Sequence, residues 1–527
     1  MKSHFAFLGI IITIIIIIIW MCKKVDTYDD LLCRKNLFKY VKNLNSEYVQ
    51  ILNKRYDKLE NFVCNKKNVV LFYIDDPYES TCESTTEDDL DFIQKKSNIS
   101  LFVSDNISKK KLLENEVLWP IGLESKMIDN QYLTEHFLTQ VERSDSMKRN
   151  KILCNAHLAY YQHPKSGLGP DRMNMSKALY EKSKNIDFWH TKKDRKMCFD
   201  EMISYYAELC PEGNGIDTHR FYEAFALGEI PIVRKGIYEK VYKEFPGTIL
   251  VDEWHDVLDL EQTSFEQPLN SIERLEYIKL SYWLYKVLRN RCRIVTFFTS
   301  KLCNEWKNLA ISLERLELLD LMIVYVLDDD AKNCVEQFTS QVEIRTNFMS
   351  TTDKGGDFGS DAFNQIMKKK LEIIKEVVSE GFFTFYLDTD IVVMKNIIRD
   401  YFSLPPKSLY IQSDLPNFSS KIYARMSNLC AGCMFFSPSE TSIQILKKAL
   451  NVFPTCKHLD DQCAINKVLM ANPSWYDVLD QRKYINGARY FQNPTQSLSC
   501  IWLIHNNWIK GVENKEQRFI KHNLWFV

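Results

Sequence analysis

Apolar runs of strand length alternate with stretches of helical periodicity along most of the chain, which predicts an α/β fold. Asn68–Ile74, Ser100–Val103 and Lys151–Ala159 read as strands, the first closed by Asp75-Asp76-Pro77. After the Gly/Pro-rich turn Pro164–Pro170, Asp171–Lys184 reads as a helix. In Cys210–Val233 a Gly213-Asn214-Gly215 turn precedes a helix that Asp217 or Thr218 can cap; Gly228 stops it, and a strand begins at Ile230. Beyond a linker at Glu261–Asn270 and a helix at Ile272–Leu288, a second α/β unit starts at Arg293. Its strands are expected at Arg293–Phe298, Leu321–Leu327 and Phe382–Leu387, and its helices at Glu305–Asp320 and Phe363–Glu380. That order suits a Rossmann-like sheet without the G-x-G-x-x-G turn of a dinucleotide site.

One apolar stretch has no periodicity. Phe5–Cys22 carries no charged side chain and includes six consecutive isoleucines, Ile14–Ile19. As a helix it spans about 27 Å, against roughly 30 Å of hydrocarbon. With no A-x-A-like cleavage site after it, a retained membrane anchor is expected, followed by a helical stem over residues 23–67.

Composition narrows the partners. The formal net charge of −1 gives nucleic-acid binding no global support, and 45% hydrophobic with 26% charged residues fits a folded protein. Four N-x-S sequons begin at Asn98, Asn106, Asn174 and Asn417. The fifteen cysteines are an odd number, so one stays outside any fully intramolecular disulfide set.

The candidate chemistry centres on Asp388-Thr389-Asp390 at the end of the strand Phe382–Leu387. Alternate strand residues share a side, so the two carboxylates can converge on one Mg²⁺ or Mn²⁺. Lys368, in the preceding helix, is a candidate donor contact. Gly432, in Asn428–Ser437, suits close approach by a sugar. Asp461 and Gln462 open the helix Cys463–Met470 and offer groups for a sugar hydroxyl. His505 can complete a mixed N/O cation set, and Lys515 can neutralise a diphosphate. In the amino-terminal unit, His219 and Arg220 lie in the first turns of a helix, where free amides favour an anion. Glu223, one turn on, can accept from sugar hydroxyls.

Two resemblances follow from these motifs. His219–Val233, HRFYEAFALGEIPIV, with the strand and helix before it, resembles the donor-binding half of exostosin-like and fucosyltransferase-like enzymes over about Lys151–Glu253. It implies nucleotide-sugar contacts at His219, Arg220 and Glu223. From Cys292 to Val527 the chain resembles the nucleotide-diphospho-sugar transferases related to plant cell-wall xylosyl- and arabinosyltransferases. The motifs are YLDTDIVVMKN at Tyr386–Asn396, AGCMFFSP at Ala431–Pro438, DDQCAIN at Asp460–Asn466, NGARYF at Asn486–Phe491 and HNNWIKG at His505–Gly511. This resemblance implies Mn²⁺ on Asp388, Asp390 and His505, a phosphate contact at Lys515, and sugar or catalytic-pocket roles for Asp461 and Gln462.

The resulting expectation is an amino-terminal transmembrane helix (5–22), a partial GT-B-like α/β domain (68–260), a linker and helix (261–291) and a GT-A-like Rossmann-related catalytic domain (292–527). The protein would be a single-pass type II Golgi membrane protein with both domains lumenal. It would move a sugar from a nucleotide-sugar donor, probed first as a UDP-sugar, to a glycan or glycoprotein. Two alternatives are a bifunctional transferase with a second active site, and an inactive carbohydrate-binding or assembly protein.

Overall fold

The computed structural model describes residues 30–527, except 55, 58, 63–64, 75–86, 97, 106–111, 148–150, 156–169, 181, 190–192, 213–215, 261–266, 350–360, 457–459 and 493–497. The predicted anchor Phe5–Cys22, the Asp75-Asp76-Pro77 closure and most of the Pro164–Pro170 turn lie outside the described residues. Among the described residues, no helix is long and apolar enough to cross a membrane.

The amino-terminal half holds two parallel sheets where one partial domain is expected. The first joins β1 (Val49–Asn53), β2 (Val69–Ile74), β3 (Ile99–Ser104) and β4 (Glu116–Leu118) in sequence order. The second joins β5 (Ile152–Cys154), β6 (Ile186–Phe188), β7 (Ala207–Leu209), β8 (Ile230–Arg234) and β9 (Ile249–Val251) in the order β6-β5-β7-β8-β9. The segment expected as a stem is built into this half. Its helix Arg34–Leu44 is amphipathic and buries Leu37, Phe38 and Val41, and β1 pairs along its length with β2.

Among the described residues, ten strands follow in the carboxy-terminal half: β10 (Cys292–Phe298), β11 (Met322–Val326), β12 (Glu343–Arg345), β13 (Phe383–Leu387), β14 (Ile391–Val393), β15 (Leu409–Ser413), β16 (Leu429–Phe436), β17 (Tyr476–Val478), β18 (Tyr484–Asn486) and β19 (Leu503–His505). Seven form a mixed sheet in the order β12-β11-β10-β13-β16-β15-β17. Strands β10 to β13 run parallel, whereas β16 is antiparallel to both β13 and β15. The order reverses between β10 and β13, and open α/β sheets bind ligands at the carboxyl ends of strands at such a reversal. All five residues of β13 are buried, as its unbroken apolar run predicts for a central strand. The small sheet β14-β19-β18 sits at the end of β13.

The two halves share one hydrophobic core, which runs from Leu37, Tyr222 and Trp283 to Phe385 and Tyr401. Gly381 has φ +87°, and a Cβ there would collide with the Tyr48 ring. Tyr48 also donates its hydroxyl to the Ser379 carbonyl at 2.8 Å, and Arg399 pairs with Glu276 at 2.6 Å. The expected helix Ile272–Leu288 forms as two, Ser271–Tyr277 and Leu280–Leu288. The break arises because the Ile278 carbonyl accepts from Leu32 N–H at 2.7 Å while Lys279 bridges to Leu31.

Candidate active site

The end of β13 sets the first carboxylate. Asp388 N–H donates to the Gly432 carbonyl at 2.9 Å, continuing the β13–β16 pairing for one residue past the strand. The chain then turns into β14, which pairs antiparallel with β19 so that Ile391 faces His505. Asn506 N–H closes the turn on the Asp390 carbonyl at 2.8 Å. Backbone pairing, more than any single side-chain contact, thus brings the D-x-D and H-N-N-W segments together.

Asp388, Asp390 and His505 each offer one ligand atom, and these atoms lie within 4.8 Å of one another. His505 Nε2 is 3.3 Å from Asp390 Oδ1 and 3.9 Å from Asp388 Oδ2. Asp388 is one-third exposed, whereas Asp390 and His505 are buried, so the group opens toward solvent through Asp388. Asp390 Oδ2 is buried and lies 2.8 Å from Lys515 Nζ, so a metal ion here would share this carboxylate with an ammonium. The oxygen-rich set with one imidazole fits Mn²⁺ or Mg²⁺. Burial works against ionising Asp390, but Lys515 and His505 hold its carboxyl well below the usual range.

Gln412, absent from the sequence expectation, orients the imidazole. Its Oε1 lies 2.9 Å from His505 Nδ1, and its Nε2 donates to the Tyr484 carbonyl at 3.4 Å. With the amide oxygen turned to the ring, Nδ1 carries a proton. Burial lowers the imidazole's pKa, but Cys430 and Asp390 outweigh it, so without a metal ion Nε2 is protonated toward Asp390 and a bound cation would replace that proton. A register shift between Ile411 and Gln412 re-aims this side chain. Cys430 Sγ lies 3.5 Å from the same Nδ1, and both Cys430 and Cys433 are buried free thiols. Gly432 is required for a different reason from the one expected. A Cβ there would collide with the His505 ring and the Asp388 carboxylate, so the glycine lets these two approach β16.

The lysine expectation needs correcting. Lys368 is half-exposed and faces Glu372 along the helix at 3.9 Å. Lys370, two positions on and therefore on the other side of the helix, enters the site. Its Nζ is 3.1 Å from Asp388 Oδ1 and 2.8 Å from Asp461 Oδ2. Tyr386 donates its hydroxyl to Asp388 Oδ1 at 2.6 Å. Burial lowers the Lys370 ammonium's pKa, but the two carboxylates outweigh it and hold the group charged. Lys515 lies where expected, with Nζ 2.8 Å from Asp390 Oδ2.

Asp461 stands in the first turn of the helix Asp461–Ala471, which Asp460 caps by accepting from Cys463 N–H at 2.6 Å. Burial pushes the Asp461 carboxyl up despite Lys370. Gln462 donates to Asp414 Oδ2 at 3.2 Å. Asp414, just beyond β15, is a second residue that motif reading missed. It also accepts from Asn507 at 3.2 Å, Trp508 at 3.0 Å and Asn428 at 3.1 Å.

In the amino-terminal half the three candidates do not converge. His219 Nδ1 is 2.6 Å from the Gly122 carbonyl, and burial and Arg34 lower its pKa to about 4. Arg220 turns inward to buried Glu208 at 3.4 Å. Glu223 is buried and paired with Arg195. Thr218 occupies the cap position without a side-chain bond, and Asp217 instead accepts from Tyr222, Tyr242 and Ile121 N–H.

At its order reversal the sheet presents paired acidic residues and an imidazole that could hold a metal ion, with two lysines ion-paired to the surrounding carboxylates. Residues 317–519 match the family model described as nucleotide-diphospho-sugar transferase. A UDP-galactose:fucoside alpha-3-galactosyltransferase of Dictyostelium discoideum is 23% identical over 199 residues, covering 33% of this chain and 30% of that protein. The UDP-D-xylose:L-fucose alpha-1,3-D-xylosyltransferase MGP4 of Arabidopsis thaliana is 26% identical over 192 residues, covering 32% of this chain and 52% of that protein. The matched span is thus about a third to half of these relatives' length. Among solved structures, mouse xyloside xylosyltransferase 1 aligns at 14% identity with a TM-score of 0.27, covering 41% of this chain and 98% of its own. Galactosyltransferase LgtC aligns at 11% with a TM-score of 0.31, covering 45% and 96%. Scores this low carry no argument. The family match leaves the amino-terminal half outside it.

Proposed function

We propose that the carboxy-terminal domain is a GT-A-like, divalent-cation-dependent glycosyltransferase that moves a sugar from a UDP-sugar to a fucoside hydroxyl. The observation that carries this reading is the convergence of Asp388, Asp390 and His505 within 4.8 Å, beside Lys515. A cation on these three residues would offset the charge of the donor's diphosphate. Lys515 adds a positive charge for the departing nucleoside diphosphate. Lys370 fixes Asp388 and Asp461 relative to each other, so the cation site and the start of the Asp461–Ala471 helix move as one body. Asp461 and Gln462 then present a carboxyl and an amide to the donor sugar and the attacking hydroxyl. The fucoside acceptor is taken from what both relatives are named for, and UDP-galactose and UDP-xylose from the same names.

Anchoring through Phe5–Cys22, with the globular part in the Golgi lumen, completes the reading; exposed Asn174 and Asn417 would then be open to glycosylation. Purified protein should release UDP from one of these donors when Mn²⁺ and methyl α-L-fucopyranoside are present. No release with any donor, with Mn²⁺ or Mg²⁺, contradicts the assignment.

A second reading, bifunctionality, draws on the five-stranded sheet, whose order reverses between β5 and β7 just before the helix His219–Ala226. An Arg220→Ala variant that loses one transfer product while keeping the product lost in Asp388→Asn supports it. Loss of both products together, or of neither, counts against it.

A further inference from the structure

Three residues beyond His505 the backbone does something that an aromatic residue rarely does. Trp508 has φ +60°, in the left-handed region that a bulky side chain avoids. The surrounding structure imposes this conformation. Asn506 accepts from Arg518 at 2.6 Å and donates to the Lys515 carbonyl at 2.8 Å, and Asn507 Oδ1 accepts from Gly487 N–H at 2.7 Å. Strain of this kind is found at ligand clamps, where the surrounding structure holds it in place.

The side chain that the strain presents is an indole, half-exposed at 51%. Its Nε1–H is tied to Asp414 Oδ1 at 3.0 Å, which fixes one edge of the ring. The other oxygen of that carboxylate holds Gln462 Nε2 at 3.2 Å. The ring is therefore one carboxylate away from Gln462, at the rim of the site. Among the described residues, no aromatic ring stacks on the indole and no cation lies over it. The indole is thus strained, tethered and open over about half of its surface.

We infer that Trp508 is the platform on which the acceptor sugar lies, with the apolar C–H face of the pyranose on the indole and its hydroxyl edge toward Gln462. Asp414 is the positioning residue that keeps ring and amide in register. The inference rests on the glycosyltransferase reading and names the acceptor's chemistry: a pyranose with a continuous apolar face, such as a 6-deoxy sugar, whose methyl group extends that face. An indole gives such a ligand a large rigid surface with little conformational freedom to lose.

The test compares Trp508→Gly, Trp508→Phe and the wild type, each as the full chain. Glycine removes the ring at a position whose φ already favours it, so folding is not the variable. Phenylalanine keeps an apolar face but loses the N–H tether. The readouts are KM for methyl α-L-fucopyranoside in UDP release, Kd for UDP-galactose with Mn²⁺, and saturation-transfer NMR of the fucoside. Trp508→Gly should raise the acceptor KM about tenfold or more, while the donor Kd moves less than about twofold. Trp508→Phe should raise it only about threefold. An unchanged acceptor KM in Trp508→Gly, or a donor Kd that weakens in step with it, overturns the platform. Equal losses in both variants also overturn it, because the tether alone would then be what matters. If the wild type releases no UDP, the transferase reading fails and NMR still decides the inference: the fucoside signal must be present in the wild type and lost in Trp508→Gly.

Discussion

The segments around Asp388–Asp390 and His219–Glu223 offer the same raw materials: carboxylates, cations and an imidazole near the carboxyl end of a strand in a sheet whose order reverses. At Asp388 two carboxylates and an imidazole converge within 4.8 Å, with Lys515 paired to Asp390 at their edge. At His219 each group is turned to a different partner: the Gly122 carbonyl, Glu208 and Arg195. Residue type and spacing are therefore poor guides to a ligand site. What separates the two regions is whether the ligand-type atoms converge within one small space or turn to separate partners, and it depends on neighbours distant in sequence.

The widest separation is expected in activity. Asp390→Asn should lower UDP release at least about a hundredfold, as removal of a preorganised charge at a reacting centre does elsewhere. Glu223→Gln should instead lower the unfolding temperature, because it leaves Arg195 without its buried partner. Parallel assays and melting curves check both, and a Glu223→Gln enzyme as inactive as Asp390→Asn would erase the contrast.

Lys370→Met should destabilise the cation-free protein by about 3 kcal/mol, since it leaves Asp461 buried and Asp388 beside it without a counter-charge. Mn²⁺ should then raise the melting temperature more in the variant than in the wild type. Equal shifts would mean that Lys370 does not stand in for part of the cation's charge.

The metal site can be sharpened through Gln412. Gln412→Leu should weaken Mn²⁺ binding about tenfold to a hundredfold, the range for loss of a group that orients a histidine ligand. The same substitution added to His505→Ala should cost nothing further. Titration followed by electron paramagnetic resonance measures both, and an undiminished effect in the double variant would place Gln412's role elsewhere.

The last contrast concerns pH. Burial raises Glu208 to about 8, against the pull of Arg220. A folded-state value above the unfolded one means that the stabilisation is present below about pH 4.5 and is lost as pH rises through 8. Glu229, Glu223 and Arg195 also bear on this group. Melting temperature should therefore fall between pH 5 and 8, and Glu208→Gln should flatten that slope. Identical slopes would remove Glu208 as the cause.

The sequence was most informative where backbone pattern and chemistry coincide. The apolar run of β13 and the acidic pair after it are visible as letters, and so is His505 after the apolar Trp502-Leu503-Ile504. Lys370 was also legible in hindsight. It lies four residues from both Ile366 and Ile374, on the buried face of its helix, whereas Lys368 does not. Gln412 was not, because a local register shift aims it at His505 and periodicity carries no such signal. Asp414 ends a strand as Asp388 does, yet its partners come from three distant segments. The expected stem shows the opposite limit: its charge masked the amphipathic face of Arg34–Leu44, which packs into the shared core.

The most direct measurement is UDP release by the full chain after EDTA treatment, with and without added Mn²⁺, using UDP-galactose and UDP-xylose with a fucoside acceptor. The account predicts release that falls to background without the cation, returns with Mn²⁺, and does not return in Asp388→Asn or His505→Ala. Release at the same rate in the metal-free protein, or full Mn²⁺ rescue of both variants, would contradict the claim that Asp388, Asp390 and His505 form the working cation site.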